Sequence, residues 1–367
     1  MTFYETITDH CLLDTGCRNP KSAILNPKST QGGGMSVKTE AYKPKHNIRV
    51  VTATSLFDGH DAAINIMRRI LQDAGVEVIH LGHNRSVREI VDAAIQEDVQ
   101  GVAISSYQGG HVEFFKYVVD LLKEAGGSHI KVFGGGGGVI VLEEIKELQA
   151  YGVTKIYSPE DGARMGLQGM INHMVQLLDF STVRMDNFNF DKLSPDNKYL
   201  VANLITAVEQ AQAQENGHFA RLRSELNKRI RDRKTPVIGI TGTGGAGKSS
   251  VTDELIMRIL HDIKDINLAV ISCDPSRRKT GGALLGDRIR MNAIDNSRVY
   301  MRSLATRSSQ TEIPLVLAEA IDVVKAAGFD LIIAETAGIG QGDSSIIDLV
   351  DVAIYVMTSE FGAASQL

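Results

Sequence analysis

Hydrophobic and polar positions along this chain follow two periods in turn, and their order predicts an architecture. From Ile48 the run IRVVTAT is short and β-branched. It is followed by a stretch from Asp61 to Asp73 that puts Ile64, Met67, Ile70 and Leu71 on one helical face. The pairing then repeats as VEVIHLG with VREIVDAAIQE, VQGVAISS with EFFKYVVDLLKEAG, and HIKVFGG with VLEEIKELQAYG, closing with KIYSP and a helix over 163–178. Strands separated by helices at this spacing make βαβ units and a parallel sheet. Five of them predict a flavodoxin-like (Rossmann) doubly wound domain over residues 47–179.

Residues 180–234 break the rhythm. MDNFNFDKLSPDN is loop-like, a helix runs from Lys198 to Gln214, and HFARLRSELNKRIRDRKT is a basic helix. The region reads as a helical interdomain linker whose basic face is either solvated or docked on another domain or a nucleotide. From residue 235 the runs TPVIGIT, NLAVISCD, RVYMRSL, FDLIIAET and VDVAIYVMT predict a second parallel α/β unit, 235–367. Residues 1–46 hold TQGGG, NPKS and KPKHN with little periodicity, and read as a disordered leader, with Met35 a candidate start.

Composition narrows the classes. A length of 367 residues with 43% hydrophobic and 23% charged positions gives folded domains and excludes wholesale disorder. A net charge of −5 argues against a general nucleic-acid binder. No apolar run reaches the roughly eighteen residues that a membrane span needs. Cys11, Cys17 and Cys273 match no zinc spacing and exclude a disulfide framework, so the chain reads as cytoplasmic. The 35 glycines, heavily clustered, point to backbone that approaches ligands closely.

One cluster has a direct chemical meaning. Gly242-Thr243-Gly244-Gly245-Ala246-Gly247-Lys248-Ser249 satisfies G-x-x-x-x-G-K-[ST] between a predicted strand and a predicted helix. Backbone N–H groups there curl around phosphate oxygens, and the helix N-terminus, Ser250 included, adds partial positive charge. Lys248 is expected on the β- and γ-phosphates and the Ser249 hydroxyl on Mg²⁺. Carboxylates at strand ends would complete the cation's oxygen ligands. Asp274 and Glu335 occupy such ends, and Glu335-Thr336-Ala337-Gly338 is similar to the D-x-x-G turn of GTPases with Glu for Asp. Lys248, Asp274 and Glu335 are the candidate catalytic groups, with Thr336 a further candidate on the metal. RRKTGGALLGDRIRM, glycine-rich and basic, reads as a mobile switch segment. In it Asp287 is a metal candidate and Arg290 a phosphate candidate.

A second site is predicted on the first domain. Its first strand leads into Asp58-Gly59-His60-Asp61, placing an imidazole at the carboxyl edge, where open α/β sheets bind ligands. An acid on one ring nitrogen leaves the other for a metal. Strand three ends in Ser105-Ser106-Tyr107, and strand four in Gly134 to Gly138, a floor on which a large flat ligand can lie.

Together these segments resemble the cobalamin-binding domain signature D-x-H-x-x-G, S-x-L, G-G, with Ala63 in place of the glycine and Tyr107 in place of the leucine. The resemblance implies His60 as lower axial ligand to cobalt, Asp58 on its other nitrogen, Ser105 on the buried tail, and Gly134 and Gly135 in the cofactor floor. CDPS, GGALLGDRIRM and ETAG are similar to the metallochaperone G proteins that serve methylmalonyl-CoA mutase. The order of the two domains is that of the fused isobutyryl-CoA mutases. That family implies adenosylcobalamin, GTP and Mg²⁺ as cofactors, a GTPase that gates cofactor loading, and a radical isomerisation of isobutyryl-CoA to n-butyryl-CoA. It also implies a homodimer and a C-terminal barrel for acyl-CoA. Neither that barrel nor an N-K-x-D guanine motif occurs here, so the chain reads as the N-terminal part of such a mutase. Its G domain is expected to be incomplete, with an exposed apolar edge and without mutase turnover on its own. A stand-alone cobalamin carrier or sensor with a regulatory nucleotide domain, and a nucleotide hydrolase that binds no corrin, are the alternative readings.

Overall fold

The computed structural model describes residues 40–183, 188–214, 217–274, 276–277, 280–306, 316–336 and 346–358. They fall within one unit, Thr39–Leu367. Met35, Cys11, Cys17, Ala337 and Gly338 lie outside the described residues, as does most of the predicted leader. Residues 40–46, also assigned to the leader, are docked. The carboxylate of Asp179 accepts the Tyr42 hydroxyl and the backbone N–H groups of Lys45 and His46. Burial alone would raise that carboxyl, but these donors pull it down to about 2.

The first sheet contains β1 (Arg49–Ser55), β2 (Glu77–Arg85), β3 (Gly101–Ser105), β4 (Lys131–Gly135) and β5 (Lys155–Tyr157). Between them run α1 (Ala62–Asp73), α2 (Val87–Gln96), α3 (His111–Glu124), α4 (Leu142–Tyr151) and α5 (Pro159–Leu178). The strands pair in parallel in the order β5-β4-β3-β1-β2. β1 lies between β2 and β3, so the winding direction reverses there and a crevice opens at the carboxyl ends of β1 and β3. Start signals are local. Ser86 caps α2 in a reciprocal box with Glu89, and Ser158 caps α5 with Pro159 in its first turn.

The second sheet holds β6 (Val237–Gly242), β7 (Leu268–Asp274), β9 (Val299–Ala305), β10 (Leu331–Glu335) and β11 (Val352–Val356), in the order β11-β6-β10-β7-β9. Helices α8 (Lys248–Asp262) and α9 (Leu317–Ala327) connect its strands. The five expected strands are all present. At the β11 edge Val352 and Tyr355 are exposed. The linker reading changes. α6 (Lys198–Gln214) buries Val201, Leu204, Ile205 and Val208 in one cluster with Ala269 and Ile271 of β7. α7 (Gly217–Ile230) adds Leu222 and Leu226 to that cluster and keeps its basic positions outward.

A larger difference concerns the predicted mobile segment. Ala283–Leu285 forms β8, which leaves its own sheet and pairs in parallel with β2 as the sixth strand of the first. The next turn, Asp287–Arg290, sends Arg288 into a buried ionic cluster. Glu97, with no exposed surface, accepts Arg288 Nε at 2.8 Å, Arg49 Nη2 at 2.5 Å and the Ser303 N–H at 3.1 Å. Arg49 also donates to Glu77, and Arg288 to Gln96 and the carbonyl of Met301. Burial would raise the Glu97 carboxyl, but the guanidinium charges of Arg288, Arg49 and Arg302 hold it below the usual range. The segment is thus anchored at Ala283–Arg288 by strand pairing and by charge.

Glu97→Ala leaves Arg288 buried without its carboxylate and Arg49 with Glu77 alone, a loss of about 3–5 kcal/mol. Urea unfolding at neutral pH should show that loss. Because the folded carboxyl sits below its unfolded value, its stabilisation is present above the unfolded pKa and fades as pH falls through the folded one. The gap between wild type and variant should therefore narrow on acidification; a gap independent of pH contradicts the ionic account.

Candidate functional site

At the end of β1 the Asp58 N–H donates to the Ser55 carbonyl at 3.1 Å, and this turn folds the Asp58 side chain inward to 1% exposure. Its Oδ1 accepts the His60 backbone N–H at 2.9 Å and lies 2.8 Å from His60 Nδ1; its Oδ2 accepts the Tyr107 N–H at 2.5 Å. Desolvation pushes this carboxyl up, but the donors from Tyr107 and His60 outweigh it and hold it low. An ionised carboxylate only accepts, so Nδ1 carries the proton and Nε2 presents its lone pair. The imidazole is 76% exposed, 5.5 Å from the ring of Tyr107.

Tyr107 also lines a largely apolar cavity of about 380 Å³, together with Ser105, Gly134–Gly137, Met67, Tyr157 and Met170. The glycine floor divides by cause. A Cβ at Gly134 would lie 2.4 Å from Phe115, and one at Gly136 would lie 2.0 Å from the Ser106 carbonyl, so close packing within the protein itself requires these two. Gly135 has no atom nearer than 3.7 Å and is the position open to a ligand. The cavity has room for an apolar ring of a bound ligand.

The phosphate loop follows β6. Gly245 and Gly247 adopt φ of +82° and +87°, which lets the backbone turn its N–H groups inward, and α8 starts at Lys248. Lys248 Nζ rests on the carbonyls of Gly242 and Thr243 at 3.1 and 3.2 Å. Gly242 has no room for a Cβ, which would meet the Val356 carbonyl at 2.2 Å. Gly244 and Ser250 are exposed around the loop, and Ala246 is buried.

Beyond the loop the structure brings three predicted carboxylates together. Glu335 accepts Ser249 Oγ at 2.7 Å and, through its other oxygen, Thr252 Oγ1 at 2.8 Å. Asp287 accepts the Ser272 hydroxyl, and Arg290 stands 3.9 Å from it with its side chain exposed. Asp274 Oδ2 is buried with no partner among the described residues. Burial first, then the negative charge of Asp287, push Asp274 far above the usual carboxylate range and Glu335 above it; the hydroxyls of Ser249 and Thr252 partly oppose the shift on Glu335. Thr336 is not brought in, because its hydroxyl donates to Thr241. Thr252 went unseen in the sequence, although its position one helical turn after Ser249 is the signal that finds it.

An orphaned acidic oxygen, two further carboxylates and a hydroxyl beside a phosphate loop form a donor set that fits Mg²⁺, which takes few protein oxygens and completes its shell with phosphate and water. Among the described residues no group of three His, Cys, Asp or Glu forms a ready-made cage. No described helix is long and apolar enough to cross a membrane.

Comparison with known proteins assigns each half separately. Residues 48–161 match the B12 binding domain, and residues 201–367 match the methylmalonyl Co-A mutase-associated GTPase MeaB. The chain is 61% identical over 328 residues to the fused isobutyryl-CoA mutase of Geobacillus kaustophilus, covering 89% of this chain and 30% of that protein. It is 59% identical over 348 residues to the protein of that name from Cupriavidus metallidurans, covering 95% and 31%. The Nocardia farcinica protein of the same name is 55% identical over 327 residues, covering 89% and 30%. The chain thus spans about three-tenths of the length of these curated relatives.

Repulsion within the carboxylate cluster should cost stability when no cation is present. Asp274→Asn removes one of its charges and should raise the thermal midpoint at neutral pH, by about 2–4 °C for each kcal/mol recovered. A carboxyl with a raised folded pKa destabilises the fold increasingly as pH climbs, so the gain should shrink in acid. A lowered midpoint at neutral pH contradicts the repulsive geometry.

Proposed function

We propose that this chain, which matches the B12 binding domain over residues 48–161 and the methylmalonyl Co-A mutase-associated GTPase MeaB over residues 201–367, is the cobalamin- and GTP-handling part of a fused isobutyryl-CoA mutase. The observation that carries this reading is the exposed His60 imidazole, oriented by a buried, ionised Asp58 and lying 5.5 Å from the ring of Tyr107, which lines an apolar cavity of about 380 Å³. His60 Nε2 would hold the cobalt, while Ser105 and the Gly135 backbone would receive the cofactor's tail. Adenosylcobalamin supplies the radical chemistry when bound. The protein's own part is to keep the imidazole in one tautomer and orientation, and to bury the tail away from water.

At the second site the 242–249 loop would wrap the phosphates, with Lys248 leaving its two carbonyl contacts to meet them. Ser249, Asp274, Asp287 and Glu335 would hold Mg²⁺, the cation relieving the repulsion among the carboxylates. Arg290, exposed beside Asp287, would reach a phosphate oxygen. Acyl-CoA binding and the mutase reaction are assigned to the part of such enzymes that lies beyond the match. GTP hydrolysis here would gate cofactor loading.

Two substitutions test the sites independently. His60→Ala should keep GTP binding but lose the histidine-ligated cobalamin absorbance; a variant spectrum identical to wild type contradicts the assignment. Lys248→Ala should cut GTP affinity at least tenfold and leave cobalamin binding unchanged. GTP bound as tightly as by wild type would rule out the phosphate loop as the nucleotide site.

A further inference from the structure

Phe57 carries two unfavourable features at once. It is the most exposed of the large hydrophobic side chains among the described residues, at 84%, and its φ is +64°. It occupies the third place of the turn closed by the Asp58 N–H on the Ser55 carbonyl, where a left-handed conformation favours glycine or asparagine over a bulky residue. Its N–H is held by Asn84 Oδ1 at 2.7 Å, and Asn84, at the end of β2, is itself left-handed at φ +57°. The conformation is therefore braced from a neighbouring strand, yet the ring gains little burial from it. Strained backbone of this kind persists where a bound state uses it.

Its position says which bound state. Phe57 and His60 flank the buried Asp58 on one short loop, both side chains exposed, and three residues span at most about 10 Å. Resting on the cobalamin reading, we propose that Phe57 is a cofactor-contact residue, its ring covering part of the macrocycle face that His60 ligates. A flat macrocycle supplies the apolar surface that the free chain lacks for this ring. The contact excludes water from the side of the metal–imidazole bond, complementing the Tyr107 ring 5.5 Å from the imidazole.

The test is absorbance titration of the full 367-residue chain with adenosylcobalamin. Phe57→Ala removes the ring, Phe57→Asn removes it while accepting the left-handed backbone, and Phe57→Tyr keeps it. The first two should bind about tenfold more weakly, as loss of a buried aromatic contact implies, and the third should bind like wild type. Thermal midpoints at or above the wild-type value, together with unchanged GTP titration, show that the loss is local. If Phe57→Ala and Phe57→Asn bind as tightly as wild type, the inference is overturned and the ring is left as a contact for another protein surface. Failure of the wild type to bind adenosylcobalamin would remove the reading beneath it instead, and the inference with it.

Discussion

One carboxylate with almost no solvent contact, that of Asp58, sets the geometry of the first domain's rim. Burying it would be costly without donors, and the donors it takes come from two different loops: the backbone of Tyr107 after β3, and the backbone and ring of His60 after β1. The same interactions that stabilise the charge fix the two loops relative to each other across the switch point. They also fix the imidazole as Nδ1–H, so the lone pair on Nε2 faces outward. An exposed histidine ordinarily samples several rotamers. This one is held on Asp58 Oδ1, which also accepts the histidine's own backbone N–H.

The second constraint couples the two α/β units. A strand of three residues, β8, is too short to hold an edge by itself. It is held because Arg288, three residues on, reaches Glu97, which in turn is shared with Arg49 and with the backbone of β9. Asp287, one residue before Arg288, faces the carboxylate cluster beside the phosphate loop. One short turn therefore touches both the carboxylate cluster beside the phosphate loop and the frame of the first sheet. Buried ion pairs stabilise little on balance, but they penalise any arrangement that leaves one partner alone, which suits a fixed register between units.

Much of this was legible in the chain. The two parallel sheets follow from periodicity, and the phosphate loop and the Asp58–His60 pair from motif and strand position. β8 was not, because Ala283–Leu285 carries too few residues to show a period and its partner lies in the other unit. Glu97 was not either. At the end of VREIVDAAIQE it looks like an ordinary solvated helix terminus, and only the approach of Arg288 from almost two hundred positions away explains its burial. The burial of α6 could have been read in part, since Val201, Ala202, Leu204, Ile205, Ala207 and Val208 give it an apolar surface too wide for a helix exposed to water. The glycine run lines the cavity, but packing against Phe115 and Ser106, which no sequence pattern shows, demands two of its members.

The central claim is that His60, and not a base belonging to the cofactor, binds the metal. The most direct measurement is electron paramagnetic resonance of cob(II)alamin bound to protein labelled with ¹⁵N only in histidine. A nitrogen supplied by the protein should change the superhyperfine splitting from the triplet of ¹⁴N to the doublet of ¹⁵N. A triplet that survives the label would show that the ligand comes from the cofactor's own tail, and the account of the first site would be wrong.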